Sequence, residues 1–203
     1  MVVIHYTAMA SADAACRALT NPDTQVSAHY LIDADGTVRS LVAEDQRAWH
    51  AGAGQWGDVS DVNSRSIGIE LDNDGYSPFS APQMDALIGV LQGITRRWGI
   101  EPHRIIGHSD MAPGRKIDPG LRFDWRRLAQ EGLSVWPQPR AAGDFAADMA
   151  RFGYTATDDA DLLLDCFRRR FAPHRIGPLC DADRAEISDL AARFPVDAQH
   201  PTA

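Results

Sequence analysis

Basic charge is in short supply. The 203-residue chain carries 20 Lys and Arg against 28 Asp and Glu, a formal net charge of −8. That balance excludes a typical nucleic-acid partner, because phosphate binding draws on a basic surface that displaces counterions. Cysteine is scarce as well. Cys16, Cys166 and Cys180 make an odd count with no CxxC pair, so neither a disulfide framework nor a cysteine zinc site is indicated, and a reducing compartment is compatible. No window approaches the roughly 20 apolar residues of a membrane-spanning helix. The opening Met1-Val-Val-Ile-His5-Tyr6 lacks the basic, apolar and small-residue order of a secretory signal. The expected location is therefore cytoplasmic, or periplasmic if a longer N-terminus carries a signal. No Gly-x-Ser-x-Gly nucleophile elbow, no phosphate-cradling GxxxxGK[ST] loop and no HExxH pair occurs.

Apolar residues make up 44% of the chain and charged residues 24%, the balance of a soluble globular protein with a core that folds without staples. Val2–Tyr6 reads as a strand, Ser11–Leu19 as a helix, and Ser27–Ile32 with Thr37–Val42 as a hairpin around Asp33-Ala-Asp-Gly36. Gly52–Ser64, rich in Gly, Asp and Ser, reads as a surface loop. In Ser66–Leu71, strict alternation sets Ile67, Ile69 and Leu71 on one face and Glu70 on the other. Met84, Leu87, Ile88, Leu91, Ile94 and Trp98 recur at helical spacing over Pro82–Trp98. Arg104–Gly107 is a further short strand, and Met111–Gly120 a Pro/Gly-rich loop. Alternating strands and helices give a mixed α/β class. A boundary falls near Val135-Trp-Pro-Gln-Pro139, dividing residues 1–135 from a helical unit at 136–203 with segments Phe145–Phe152, Asp159–Phe171 and Asp183–Phe194. So small a helical unit is marginal alone and leans on the first.

Of the five histidines in the first unit (His5, His29, His50, His103 and His108), two stand out by placement. His5 lies in the first strand and His108 directly follows Ile105-Ile-Gly107, both rigid supports for a metal ligand. Asp118 is ten residues beyond His108, and the glycines of this loop, Gly114 and Gly120, permit a tight return. Two imidazoles and one carboxylate would leave a fourth zinc position open, as catalytic zinc requires. Spacing alone supports this only weakly, and a lone histidine in a strand is more often a satisfied interior residue. Glu70 is either the solvent face of a half-exposed strand or a general base. Lys116 is either a solvated loop residue or a donor to a developing oxyanion.

Five ordered blocks then resemble one known family: Val3-Ile-His5-Tyr-Thr-Ala8, Val26-Ser-Ala-His29-Tyr-Leu-Ile32, Ala48-Trp-His50-Ala-Gly52, Asn63 with Ser66-Ile-Gly-Ile-Glu70-Leu, and Gly107-His108-Ser-Asp110 through Arg115-Lys-Ile-Asp118-Pro-Gly120. These are similar to the type 2 N-acetylmuramoyl-L-alanine amidases, the AmpD/AmiD-like group, over roughly residues 2–135. The resemblance implies a central mixed β-sheet flanked by helices, with a zinc groove on one side. It implies Zn2+ held by His5, His108 and Asp118, Glu70 as catalytic carboxylate and Lys116 as transition-state stabiliser. Trp49, His50 and Asn63 are implied in or near the substrate groove, and His29 as an interior residue. Some relatives carry a catalytic Tyr where this chain has Ala28, which shifts the burden to Glu70. Residues 141–195 resemble, loosely, a small helical peptidoglycan-binding domain; a helical cap that only packs on the first unit is the alternative. The expected partner is peptidoglycan or a muropeptide, bound by a monomer. The rival readings are a binding module without catalysis and a zinc peptidase acting within the stem peptide.

Overall fold

The computed structural model describes residues 1–138 and 140–196. Pro139 of the expected boundary, and residues 197–203 of the expected C-terminal unit, lie outside the described residues. The sheet is built from β1 (Val2–Tyr6), β2 (Tyr30–Ile32), β3 (Val38–Ser40), β4 (Ile67–Leu71) and β5 (Ile105–Gly107). Their order is β3-β2-β4-β1-β5, with β2–β3 antiparallel and every other pairing parallel. The helices are α1 (Ala12–Thr20), α2 (Ala81–Trp98), α3 (His108–Met111), α4 (Trp125–Gln130), α5 (Phe145–Phe152), α6 (Ala160–Phe171) and α7 (Asp181–Arg193). The mixed α/β class is as expected.

Strand alternation explains how one sheet serves two cores. Val2, Ile4, Ile67, Ile69, Leu71 and Ile105 face Met84, Leu87, Leu91 and Ile94 of α2. Helix α2 begins at Ser80, whose side chain accepts from the Gln83 amide, and stops at left-handed Gly99. Trp98 departs from the expected apolar stripe: it is 49% exposed, and its indole donates to Glu44 Oε2 at 2.6 Å. On the opposite face, Val3 and Ile106 enter a second core with Phe145, Met149, Phe152, Phe167, Phe171, Ile187 and Leu190 from α5–α7. Further along that face, where the apolar helices no longer cover it, stand His5 and Glu70.

Three expectations were too simple. The hairpin forms through Gly36 at φ 91°, with the Asp33 amide donating to Thr37 O at 2.9 Å, but both strands are shorter than the apolar runs. Chain before Tyr30 leaves the ladder so that the Ser27 amide can donate to Trp49 O and the His29 amide to Gly68 O, each at 3.0 Å. The segment 52–64 is irregular, yet it buries Trp56, Val59 and Val62 in the second core. Its polar composition concealed three anchors for the C-terminal helices. The loop after His108 opens with one helical turn, α3, whose Met111 is fully buried.

Because Phe167 shares one core with Val3 and Ile106, the described residues should unfold together. Phe167→Ala should cost about 3–5 kcal/mol and shift a single denaturation transition, followed by far- and near-ultraviolet circular dichroism. Two separated transitions would contradict the shared core.

Candidate metal centre and its groove

Three parallel strands deliver their carboxyl ends to one place, the usual position of ligand crevices in open α/β sheets. In the β1–β4 register His5 sits beside Glu70, and Ile4 sits beside Gly107 of β5, so His108 leaves the sheet next to His5. Asp118 returns to this point as the sequence allows. The Ser109 amide donates to Asp118 O at 2.9 Å, closing the loop. Pro119 rests on Gly107, where an added Cβ would meet its Cδ at 2.8 Å. A side chain at Gly107 would push the loop, and Asp118 with it, away from His108.

The ligand atoms converge. His5 Nδ1 lies 2.8 Å from Asp118 Oδ2 and 3.0 Å from His108 Nδ1, and His108 Nδ1 lies 3.0 Å from the same carboxylate oxygen. All three residues are buried. The distal ring nitrogens are already committed. His108 Nε2 faces Ala51 O at 2.8 Å, an acceptor only, so it must carry the proton. His5 Nε2 faces His50 Nδ1 at 3.0 Å, and His50 Nε2 faces Ser66 O at 3.4 Å. A protonated His50 Nε2 leaves His50 Nδ1 as acceptor and His5 Nε2 as donor. Burial first, and then the neighbouring His108, lower the pKa of His5 to about 4, which keeps its ring neutral near pH 7. His5 and His108 then both aim Nδ1 at the same carboxylate oxygen. Contacts this short need a proton or a metal cation between them, and two imidazoles with a carboxylate form a donor set that suits a divalent metal. The residues fit a metal, with each imidazole oriented through its other nitrogen as metal ligands commonly are.

The groove around this cluster encloses about 510 Å³ and is lined by His5, Tyr6, Trp49, His50, Glu70, His108, Arg115, Lys116 and Asp118 among others. Glu70 is half-buried at its floor, and its Oε2 is buried without a hydrogen-bond partner. Burial, then the charge of Asp118, raise its pKa to about 8, with Lys116 opposing. Such a carboxyl is poised to take and release a proton near neutral pH. Lys116 is an exposed residue of the same lining. Trp49, 59% exposed, offers an open aromatic face at the rim, and the Arg47 guanidinium lies 4.8 Å above its ring.

Asn63, expected in or near the groove, does not line it but lies directly behind His50. It is buried beneath the loop; its Oδ1 accepts from the His50 and Ala51 amides at 3.0 and 2.9 Å, and its Nδ2 donates to Ala48 O at 2.8 Å. It fixes the backbone that presents Trp49, His50 and the Ala51 carbonyl. His29 is an interior residue: its Nδ1 accepts from the Gly68 amide at 2.9 Å, and its Nε2 donates to Gln46 O at 3.0 Å. Two features escaped the sequence reading. Arg115 lines the groove and donates to Ala51 O at 3.0 Å. Gly68 leaves space for the His50 ring, which a Cβ there would overlap. A glycine amid Ile67 and Ile69 was the available signal, since a strand glycine often marks close approach by another group.

Two imidazoles and a carboxylate converging on a groove, with the half-buried Glu70 beside them, could hold a metal ion and support metal-assisted hydrolysis. Comparison with known proteins narrows this class. Residues 1–121 match the family model described as N-acetylmuramoyl-L-alanine amidase, and the chain belongs to that family. It is 40% identical over 179 residues to the N-acetylmuramoyl-L-alanine amidase AmiD of Escherichia coli strain K12, covering 80% of this chain and 63% of AmiD. It is 43% identical over 103 residues to the 1,6-anhydro-N-acetylmuramyl-L-alanine amidase AmpD of Enterobacter cloacae, covering 51% of this chain and 55% of AmpD. These matches span less than two thirds of either relative. Among solved structures, E. coli AmiD in complex with the substrate anhydro-N-acetylmuramic acid-L-Ala-D-γ-Glu-L-Lys superposes with a TM-score of 0.86 at 32% identity, covering 96% of this chain and 89% of that one. AmpDh3 of Pseudomonas aeruginosa in complex with anhydromuramic pentapeptide gives 0.86 at 30% identity, covering 96% and 92%. Among the described residues, no helix is long and apolar enough to cross a membrane.

Gly68→Ala should displace the His50 ring and release the proton arrangement on His5. Affinity for a divalent metal ion, measured by competition with a chromophoric chelator, should weaken about tenfold or more, the usual cost of losing a group that orients a metal ligand. Unchanged affinity in the folded variant would contradict the His50 relay.

Proposed function

We propose that the protein is a zinc-dependent N-acetylmuramoyl-L-alanine amidase that hydrolyses the amide bond between the lactyl group of muramic acid and L-Ala, in peptidoglycan or its anhydro-muropeptide fragments. The carrying observation is the convergence of His5 Nδ1, His108 Nδ1 and Asp118 Oδ2 at the head of a groove with Glu70 in its floor. The substrate class is supported by the relatives AmiD and AmpDh3, whose structures hold anhydromuramic peptides.

His5, His108 and Asp118 would hold the zinc, which when bound supplies Lewis acidity to polarise the scissile carbonyl and render an attacking water acidic near pH 7. Glu70 removes the proton from that water as it attacks. The same carboxyl then carries the proton to the departing amine of L-Ala, so base and acid are one group used twice. Its buried, unpartnered Oε2 leaves it free to accept. Lys116, at the rim, stabilises the negative charge developing on the carbonyl oxygen. Trp49 offers its exposed ring to the apolar face of a sugar or to a side chain of the stem.

A purified anhydro-muropeptide incubated with the protein should yield, by mass spectrometry, a free stem peptide beginning at L-Ala. The yield should vanish with a chelator and return with zinc. Cleavage within the stem would point to a peptidase, and intact substrate in zinc-replete protein to a binding module. Glu70→Gln should keep zinc affinity and lower kcat about 10²–10⁴-fold, the usual worth of a positioned acid–base group. The pH profile has a definite sign. Glu70 acts as base only when ionised, so kcat/KM should fall as pH drops through its pKa, at or below about 8; a divalent cation beside it moves that limb downward. A wild-type rate in Glu70→Gln would remove it from the chemistry.

A further inference from the structure

His108 is held by more than its ring. It is the first residue of α3, whose preceding Gly107 amide donates to Asp110 Oδ2 at 2.8 Å. Asp110 thereby fixes the turn that aims His108, and it is almost fully buried. A buried carboxylate needs partners, and here they come from the C-terminal segment. Arg170 of α6 donates to Asp110 Oδ2 at 2.7 Å, and the Tyr154 hydroxyl donates to Oδ1 at 2.6 Å. The Arg170 guanidinium also donates to Ile105 O at 3.0 Å, at the start of the strand leading to His108, and lies 4.2 Å above the Trp125 ring. Tyr154 remains a donor: burial and the adjacent Asp110 push its phenol well above the ordinary value of 10.

We propose that Asp110, Arg170 and Tyr154 are positioning residues of the metal centre, through which the C-terminal helices set the direction of His108. The inference rests on the zinc reading above and extends it to Tyr154 and Arg170, which lie 44 and 60 residues beyond Asp110. On this account α6 is a structural component of the metal site. Its own Cys166 adds a second tie, with Sγ donating to Ser109 O at 3.3 Å. Groups that orient a ligand without touching the metal commonly change affinity by about 10–100-fold when removed.

The test is zinc affinity at a temperature where every variant is folded, read by chelator competition, with circular dichroism of the metal-free proteins as a folding control. Tyr154→Phe removes one hydroxyl and keeps the ring, and Asp110→Asn keeps the shape but turns one acceptor into a donor. Both should raise the zinc dissociation constant, by about tenfold or more for Asp110→Asn and by a smaller factor for Tyr154→Phe. Phe145→Leu loosens the same apolar core without touching Asp110 and should bind zinc like the parent. If Asp110→Asn fails to fold, Tyr154→Phe decides. Parental affinity in folded Tyr154→Phe, or an equal loss in Phe145→Leu, overturns the positioning role while leaving the metal reading intact. A parent protein that takes up no zinc overturns the metal reading, and this inference with it.

Discussion

Two imidazole nitrogens and one carboxylate oxygen, brought within 3.0 Å of one another, are the constraint around which the rest of this structure is arranged. Such groups do not crowd together without cause. Holding them there takes committed partners on the far side of each ring: Ala51 O behind His108, and His50 behind His5. Those partners need anchors in turn. Asn63 fixes the backbone of residues 48–51, Gly68 leaves room for the His50 ring, and His29 ties down the Gly68 amide. Buried polar groups that looked unrelated along the chain thus belong to one connected support.

The sheet divides labour along its length as well as between its faces. One face presents Val2, Ile4, Ile67, Ile69, Leu71 and Ile105 and packs on α2. The other changes character within β1, from Val3 in the aromatic core of α5–α7 to His5 in the groove. Parallel pairing makes this possible, because β1, β4 and β5 then end on the same side and contribute His5, Glu70 and the approach to His108 together. Burial that raises the pKa of Glu70 to about 8 and lowers that of His5 to about 4 favours the neutral form in both. For His5 the result is an available lone pair. For Glu70 it is a proton affinity matched to neutral pH.

Much of this was legible in the sequence. The alternation of Ile67, Ile69 and Leu71 placed Glu70 on the opposite face, and the spacing from Met84 to Ile94 located α2. Five ordered motif blocks pointed to the family. What stayed hidden depended on contacts between distant segments. Gly52–Ser64 has the composition of a surface loop, and only the arrival of α5–α7 turns Trp56, Val59 and Val62 into core. Asn63 carries a polar side chain that suits a groove, but two backbone amides and a carbonyl consume it. Asp110 stood inside a recognised motif without a role, because its partners Tyr154 and Arg170 lie 44 and 60 residues away.

The central claim is that His5, His108 and Asp118 form a metal-binding set whose imidazoles are oriented through their distal nitrogens. X-ray absorption at the zinc edge of zinc-loaded protein tests it most directly. The spectrum should show one zinc per chain with two imidazole nitrogens at about 2.0–2.1 Å, a carboxylate oxygen at about 2.0–2.2 Å and no sulfur, and one imidazole contribution should be lost in His108→Ala but not in His50→Ala. A sulfur ligand, or loss of an imidazole contribution on removing His50, would contradict it.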